Sequence, residues 1–219
     1  MSIRQTDLVQ GEYYHIYNRG NSKQKIFHNK EDHFRFIALL YISNSSESFN
    51  LYDLNRDTNF NVYEIERTNL LVDVGAFCLM PNHFHILITE RIEGGISKFM
   101  QKLSTAYSMY YNKKYKRTGS LFEGKFKSQH ADTDQQLKYL FSYIHLNPIK
   151  LIQKNWKEKG IRNKKEAIDY LNKYAYSSYL DFTGEKRVQN KIINVKAFPK
   201  YFPNKNLFIK EIFEWLTLR

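Results

Sequence analysis

The chain has little cysteine and no long hydrophobic run. Cys78 is the single cysteine among 219 residues, which excludes an intramolecular disulfide framework and any multi-cysteine metal site. It also suits a reducing compartment. The longest clean apolar run, residues 36–42, is far shorter than the ~18 residues of a membrane span, and the first ten residues contain no signal-peptide hydrophobic region. We therefore expect a cytoplasmic protein that does not associate with membranes.

Acidic residues are also scarce relative to basic ones. Asp and Glu total 22 against 34 Lys and Arg, which gives a formal net charge of +12. Such an excess predicts a polyanionic partner. Hydrophobic residues make up 42% of the chain, so a packed core is feasible and a disordered chain is not expected. The length favours one compact domain with elaborations.

Strand and helix patterns alternate along the chain. Aromatic and β-branched residues predict strands over 12–18, 71–80 and 83–90, of which the last two form an antiparallel pair. Apolar residues at helical spacing predict helices over 29–41, 95–115, 134–147 and 207–218. This mixture predicts an α+β fold in which helices pack mainly on one face of an antiparallel sheet. We expect the other face to be free to bind a ligand.

Two histidines alternate with apolar residues in the strand over 83–90. Because side chains alternate along a strand, Phe84 and Ile86 share one face, and His83 and His85 share the other. Two imidazoles at this spacing can bind one divalent ion, provided that an oxygen ligand comes from elsewhere. Alternatively, both histidines lie on a solvated sheet. The remaining five histidines are scattered, so no larger histidine cluster is predicted.

The helix over 134–147 offers such an oxygen ligand. Thr133 and Gln136 fit a capping box at its start. At ~100° per residue, Tyr143 and Asn147 share one flank of its apolar stripe, one turn apart, and His145 lies on the opposite flank. Tyr143 and Asn147 can therefore face one site together. The alternatives are a boundary aromatic and a polar residue at the end of a helix.

Basic and aromatic residues are interleaved between the two long helices. Basic side chains can follow the phosphates of a nucleic acid while aromatic rings stack on unpaired bases. The candidate DNA-binding residues of this segment are Lys113, Lys114, Lys116, Arg117, Phe122, Lys125 and Lys127. A solvated helix end with core aromatics is the alternative. A second basic run over 154–165 could contact duplex DNA.

Four motifs carry a resemblance to a known family. They are YHIYNRG at 14–20, MPNHFH at 80–85, GSLFEGKFKS at 119–128 and YIHLNP at 143–148. In this order they resemble the single-tyrosine HUH transposases, specifically the REP-associated tyrosine transposase branch. The resemblance extends over residues 11–184, so we divide the chain into a catalytic domain at 1–184 and a C-terminal extension at 185–219 that carries the terminal helix.

The resemblance implies a ferredoxin-like or RRM-like fold and a metal-dependent nuclease. Such an enzyme cleaves and rejoins single-stranded DNA next to a hairpin, through a 5′-phosphotyrosine intermediate. His83 and His85 match the histidines that bind the metal, Mg²⁺ or Mn²⁺, and Asn147 matches the third ligand. Tyr143 matches the nucleophile. Arg19, in the first motif, joins the DNA-binding candidates, and Lys125 stands where relatives usually have Arg.

The resemblance leaves the oligomeric state open between a monomer and a homodimer. The absence of a GxxxxGK[ST] motif agrees with strand transfer that needs no ATP. Two other functions remain possible on the residues alone. One is a non-catalytic module that binds single-stranded nucleic acid on an RRM-like sheet, and the other is a metal-dependent phosphodiesterase that uses activated water.

Overall fold

A four-stranded antiparallel sheet forms the centre of the protein. The computed structural model describes residues 7–49 and 61–214. The strands are β1 (Tyr13–Arg19), β2 (Val72–Met80), β3 (His83–Glu90) and β4 (Lys127–His130), in the spatial order β2-β3-β1-β4. The α+β class is therefore confirmed. Strand β4 was not predicted, because its sequence KSQH contains no alternating apolar residues.

Seven α-helices lie within the described residues. Those at 30–42, 95–114, 134–146 and 205–214 lie near predicted positions, and the three short helices between 156 and 182 were not predicted. In chain order the seven are α1 (Lys30–Ile42), α2 (Gly95–Lys114), α3 (Asp134–Leu146), α4 (Trp156–Lys159), α5 (Lys164–Leu171), α6 (Tyr179–Phe182) and α7 (Lys205–Glu214). The predicted C-terminal helix extends to 218, and its last residues lie outside the described range. Among the helices within that range, none has the length and hydropathy needed to cross a bilayer.

Helices α1 and α2 cover one face of the sheet. Phe84 and Ile86 of β3 are fully buried there, and the ring of Phe84 lies 5.0 Å from that of Phe36 in α1. Phe36 also contacts Tyr107 of α2, at a ring distance of 5.0 Å. Burial of these aromatic side chains provides the main apolar stabilisation of this layer.

The opposite face is not open, so the expectation of a free second face is wrong. Leu87 of β3 and the β2 residues Ala76 and Cys78 pack there against Leu137 and Phe141 of α3. The reason lies in β2, whose side chains are apolar on both faces and must be buried on both. The sheet is therefore covered by helices on two sides, and α3 lies over the face that carries the two histidines.

Both ends of α3 are defined by local interactions. The Thr133 side chain accepts a hydrogen bond of 3.2 Å from the backbone N–H of Gln136, which confirms the predicted N-cap. At the other end Asn147 has helical backbone angles and is also the first residue of the 3₁₀ turn Asn147–Leu151. Asn147 therefore stays one turn beyond Tyr143, on the same flank of the helix.

The C-terminal helix shares a core with α3. Phe208 and Ile212 of α7 lie in one apolar cluster with Leu146 and Ile149. The ring of Phe208 also stands 5.1 Å from that of His145. The division of the chain at residue 184 stays a prediction.

Candidate active site

His83 and His85 occupy the face of β3 that α3 covers. Their ring centroids are 4.9 Å apart and the rings are nearly perpendicular, at 89°. His85 is only 5% exposed. Burial lowers the pKa of His83 to about 4, and it lowers the pKa of His85 well below 6.5. Both imidazoles are therefore neutral at physiological pH, the form in which histidine binds metals.

In each of the two histidines, Nδ1 forms a hydrogen bond with another side chain of the protein. Nδ1 of His83 lies 2.6 Å from Oδ1 of Asn82, which accepts only, so His83 donates from Nδ1 and carries its lone pair on Nε2. Nδ1 of His85 lies 2.8 Å from Nε2 of His15. Nε2 of His85 is buried and has no hydrogen-bond partner among the residues that the structure describes.

Tyr143 and Asn147 complete the cluster from α3. The Tyr143 ring meets that of His85 at 5.3 Å, edge to face. Asn147 is 3% exposed, one helical turn beyond Tyr143. Burial raises the pKa of Tyr143, and the nearby Asn147 side chain works against that rise. The structure thus brings His83, His85, Tyr143 and Asn147 together, while the roles assigned to them stay predictions.

The donors in this cluster fit a divalent cation. Two imidazoles and one amide oxygen form a neutral set, and the buried Nε2 of His85 is an unpaired group that a cation would satisfy. Over 7–49 and 61–214, no three His, Cys, Asp or Glu side chains are arranged to hold a metal. A metal here therefore depends on Asn147 and on oxygen ligands from the substrate.

His145 does not belong to the cluster. Its Nδ1 donates to the Phe141 carbonyl at 2.8 Å, and its Nε2 lies 2.8 Å from the Ser178 hydroxyl. The ring is fully buried on the other flank of α3, as the helical period predicts. His145 therefore links α3 to the loop before α6.

Buried histidines make folding sensitive to acid. Burial lowers the pKa of His15 and of His145 to about 3, against 6.5 in the unfolded chain. Below pH ~6.5 the unfolded chain takes up protons that the folded protein does not, so stability is lost as the pH falls from ~6.5 towards ~3. We expect the free energy of unfolding, measured in urea with EDTA, to decrease by roughly 2 kcal/mol per buried histidine between about pH 7 and pH 5. A flat profile would contradict this expectation.

His15 is a site residue that the sequence analysis missed. It was taken as one of the scattered histidines, but β1 pairs with β3 so that His15 lies opposite Leu87, on the face of His85. The two imidazole rings are stacked at 5.0 Å. The one sequence signal was the alternation of His15 with Tyr14 and Ile16 on β1. This alternation places His15 on one face of the strand, but which residues it meets there depends on the strand with which β1 pairs.

A basic cavity lies next to His83. Its volume is about 300 Å³, and besides the neutral His83 it is lined by four cations, Arg19, Lys23, Lys127 and Lys150. Arg19 and Lys127 were predicted to bind DNA. Lys23 and Lys150 were not, because only the tertiary structure brings their two segments to His83. Arg19 is also paired with Glu123, with Nη2 at 2.9 Å from Oε1.

The basic cluster at the end of α2 is only partly available to a ligand. Lys113 and Lys116 are exposed. Arg117 is half-buried, with its guanidinium 5.6 Å from the centre of the Tyr111 ring. The ammonium of Lys114 contacts the carboxylates of Asp32 and Glu31, both at 2.8 Å, which favours a structural role for this residue. Lys125 is exposed on the segment that precedes β4.

Phe122 is not available for base stacking, so its assignment to DNA binding is wrong. The side chain is 6% exposed and belongs to the core beneath α2. Its ring meets that of Phe84 at 5.9 Å, edge to face. The sequence pattern of an aromatic residue in a basic segment is the same whether its side chain points to solvent or into the core. In this protein the Phe122 side chain points into the core.

The second basic run contributes one residue to the cluster. Lys157 of α4 places its ammonium 3.7 Å from the centre of the Tyr143 ring, a cation–π contact. The other cations of this run are exposed; they are Lys154, Lys159, Arg162, Lys164 and Lys165.

Comparison with known proteins identifies a family and a fold. Residues 9–147, which include all four residues of the cluster, match the family described as IS200-like transposase. A solved structure of a REP-associated tyrosine transposase bound to a REP hairpin superposes with a TM-score of 0.50 at 11% sequence identity, and the alignment covers 86% of this chain and 90% of that chain. At this identity the structural likeness concerns the fold alone. No curated protein matches the sequence.

Proposed function

The chain belongs to the IS200-like transposase family, and we propose that it is a metal-dependent endonuclease and strand transferase. It cuts single-stranded DNA next to hairpins through a 5′-phosphotyrosine intermediate. The observation that carries this proposal is the position of Tyr143. Its ring lies 5.3 Å from that of His85, and the side chain of Asn147, one turn along the same helix, lowers the pKa of its hydroxyl against the effect of burial. A nucleophile and a candidate cation site thus share one buried cluster.

The basic cavity supports the choice of DNA as substrate. Lys127 stands on β4 opposite Tyr17, on the same face of the sheet as His85, and Lys23 and Lys150 line the same cavity. Three ammonium groups next to His83 would neutralise the phosphates on either side of the cleaved bond. A single strand could then follow the cavity to Tyr143.

Tyr143 acts as a positioned nucleophile. Its phenol is not ionised at neutral pH, because burial raises its pKa above 10. The hydroxyl oxygen bonds to the scissile phosphorus and gives up its proton, the bond from phosphorus to the 3′ oxygen breaks, and the 3′ oxygen takes up a proton, so one proton passes in net from the phenol to the leaving oxygen. The DNA then has a free 3′ end and a 5′-phosphotyrosine. Since the new bond keeps the energy of the phosphodiester, rejoining needs no nucleotide cofactor.

The cluster would hold the metal through Nε2 of His83, Nε2 of His85 and the Asn147 carbonyl oxygen. An amide carries both a donor and an acceptor, so the Asn147 N–H groups stay available to the Tyr143 hydroxyl while the carbonyl oxygen ligates. When bound, Mg²⁺ or Mn²⁺ stabilises the charge that develops on the phosphate oxygens.

A denaturing gel tests the proposed function. Labelled hairpin DNA with a single-stranded flank is incubated with the protein and Mn²⁺, and we expect a labelled band that migrates with the protein. Free fragments without an adduct would favour hydrolysis by activated water. Unchanged DNA that is nevertheless bound in a native gel would favour a non-catalytic binding module.

The salt dependence of binding tests which cations contact phosphates. We expect the variant Lys23→Gln/Lys127→Gln/Lys150→Gln to reduce the slope of log affinity against log salt by about 2, since each single-strand phosphate contact contributes ~0.7. The matched control Lys186→Gln/Lys200→Gln/Lys205→Gln removes the same charge from exposed positions and should leave the slope unchanged. Equal slopes for both variants would place the cavity away from the DNA.

The cluster at the end of α2 is tested in the same way. Because Lys114 is held by two carboxylates, we compare the variant Lys113→Gln/Lys116→Gln with the parent protein. Contact of both ammonium groups with phosphates predicts a decrease of the slope by about 1.4.

A further inference from the structure

We propose that His15 is a positioning residue that sets the tautomer of His85, so that Nε2 of His85 presents its lone pair to the cation site. The inference rests on the proposed function, because it gives a purpose to a histidine that the ligand set does not include. His15 is 4% exposed and lies on β1, on the same face of the sheet as His85. Its Nε2 is 2.8 Å from Nδ1 of His85.

Only one proton lies between the two rings, and its position decides what His85 can do. If His15 donates from Nε2, then His85 accepts at Nδ1 and carries its own proton on Nε2. That N–H would be buried without an acceptor among the described residues. If His85 donates from Nδ1, its Nε2 bears a lone pair instead. A cation can satisfy the lone pair, whereas nothing in the cluster can satisfy the buried N–H.

The environment of His15 suits the role of acceptor. Its cross-strand neighbour on β4 is Gln129, whose side chain raises the pKa of His15 against the larger effect of burial. Nδ1 of His15 has no hydrogen-bond partner among the described residues, so the bond to His85 is the one that fixes this ring. The ring is stacked on Tyr17 at 5.0 Å and meets the edge of Tyr143 at 5.8 Å. Packing on several sides therefore keeps Nε2 directed at His85.

His83 has an equivalent partner. Asn82 accepts from Nδ1 of His83 at 2.6 Å, and its own amide N–H donates to the Lys23 carbonyl at 3.1 Å. That second bond defines which end of the Asn82 amide faces the imidazole. Each candidate ligand is thus paired at Nδ1 with a fixed acceptor, which is the arrangement by which proteins orient metal-binding histidines.

Two substitutions of His15 distinguish the role of its hydrogen-bond acceptor from the role of its aromatic ring. His15→Phe keeps an aromatic ring in the stack but has no acceptor, whereas His15→Gln can place an amide oxygen where Nε2 stood. Histidine ¹⁵N NMR of the metal-free protein reports which nitrogen of His85 is protonated. We expect protonation at Nδ1 in the parent protein and in His15→Gln, and its loss or a mixture of tautomers in His15→Phe.

Mn²⁺ binding, followed by electron paramagnetic resonance, provides the second measurement. We expect the affinity of His15→Phe to fall by about 10- to 100-fold and that of His15→Gln to stay close to the parent value. A proton on Nε2 of His85 in the parent protein would overturn the inference, as would equal Mn²⁺ affinity in His15→Phe. The NMR measurement needs neither metal nor DNA, so its result is separate from a failure of the proposed cleavage reaction.

Discussion

Tyr143→Phe abolishes the covalent DNA adduct and leaves folding and hairpin affinity unchanged. The substitution removes one oxygen and keeps the ring, which is stacked on Tyr139 at 6.0 Å and meets His85 at 5.3 Å. Packing is therefore preserved while the nucleophile is lost. The measurement is a denaturing gel for the adduct together with a native gel for binding.

Tyr107→Phe is the matched control for this result. Tyr107 is fully buried in α2, and its hydroxyl donates to the Ile26 carbonyl at 2.5 Å, on the face of the sheet away from His85. Its removal should cost about 1 kcal/mol of stability and leave the adduct in place. Peptide mapping of the trapped adduct identifies the attacking residue, and DNA on any tyrosine other than Tyr143 would show that the assignment is wrong.

The double variant His83→Ala/His85→Ala eliminates cleavage while hairpin binding persists. These side chains are assigned to a metal that acts on the phosphate, and the cations that would contact DNA lie outside the pair. We expect no adduct with either Mg²⁺ or Mn²⁺, and loss of Mn²⁺ binding. The measurements are the adduct gel and the native gel, with hairpin affinity as the indicator of folding.

A second double variant controls for the loss of two histidines. His28 is exposed and His130 forms a surface pair with Glu12 at 2.7 Å, so His28→Ala/His130→Ala should cleave like the parent protein. Full cleavage by His83→Ala/His85→Ala would remove the metal-site hypothesis. Loss of cleavage in both double variants would mean that the effect is not specific to the cluster.

Local periodicity accounts for the parts of the site that could be predicted. The alternation on β3 is a property of any strand, and it placed His83 and His85 on one face. Likewise, the helical period placed Tyr143 and Asn147 on one flank of α3 and His145 on the other. The Thr133 cap set the start of that helix. Each of these inferences uses residues within two turns or one strand, where backbone geometry alone decides direction.

Contacts between distant segments decided the rest. His15 reaches His85 only because β1 pairs with β3 in one particular register, across 70 positions of sequence. Lys23 and Lys150 meet at His83 from segments on either side of it in the chain. Phe122 turned into the core because Phe84 and α2 offered an apolar surface.

The sequence by itself determined the excess of basic residues, the principal strands and helices, and the two pairs of residues that share a face, His83 with His85 and Tyr143 with Asn147. Only the tertiary structure decided that α3 covers the histidine face, which brings Tyr143 against His85 and buries the cluster. The physical reason is that periodicity states which side of an element is apolar, but not which other element will bury it. That choice depends on the packing of the whole chain: the cover by α3 buried Nε2 of His85, and the pairing of β1 with β3 joined His85 to His15.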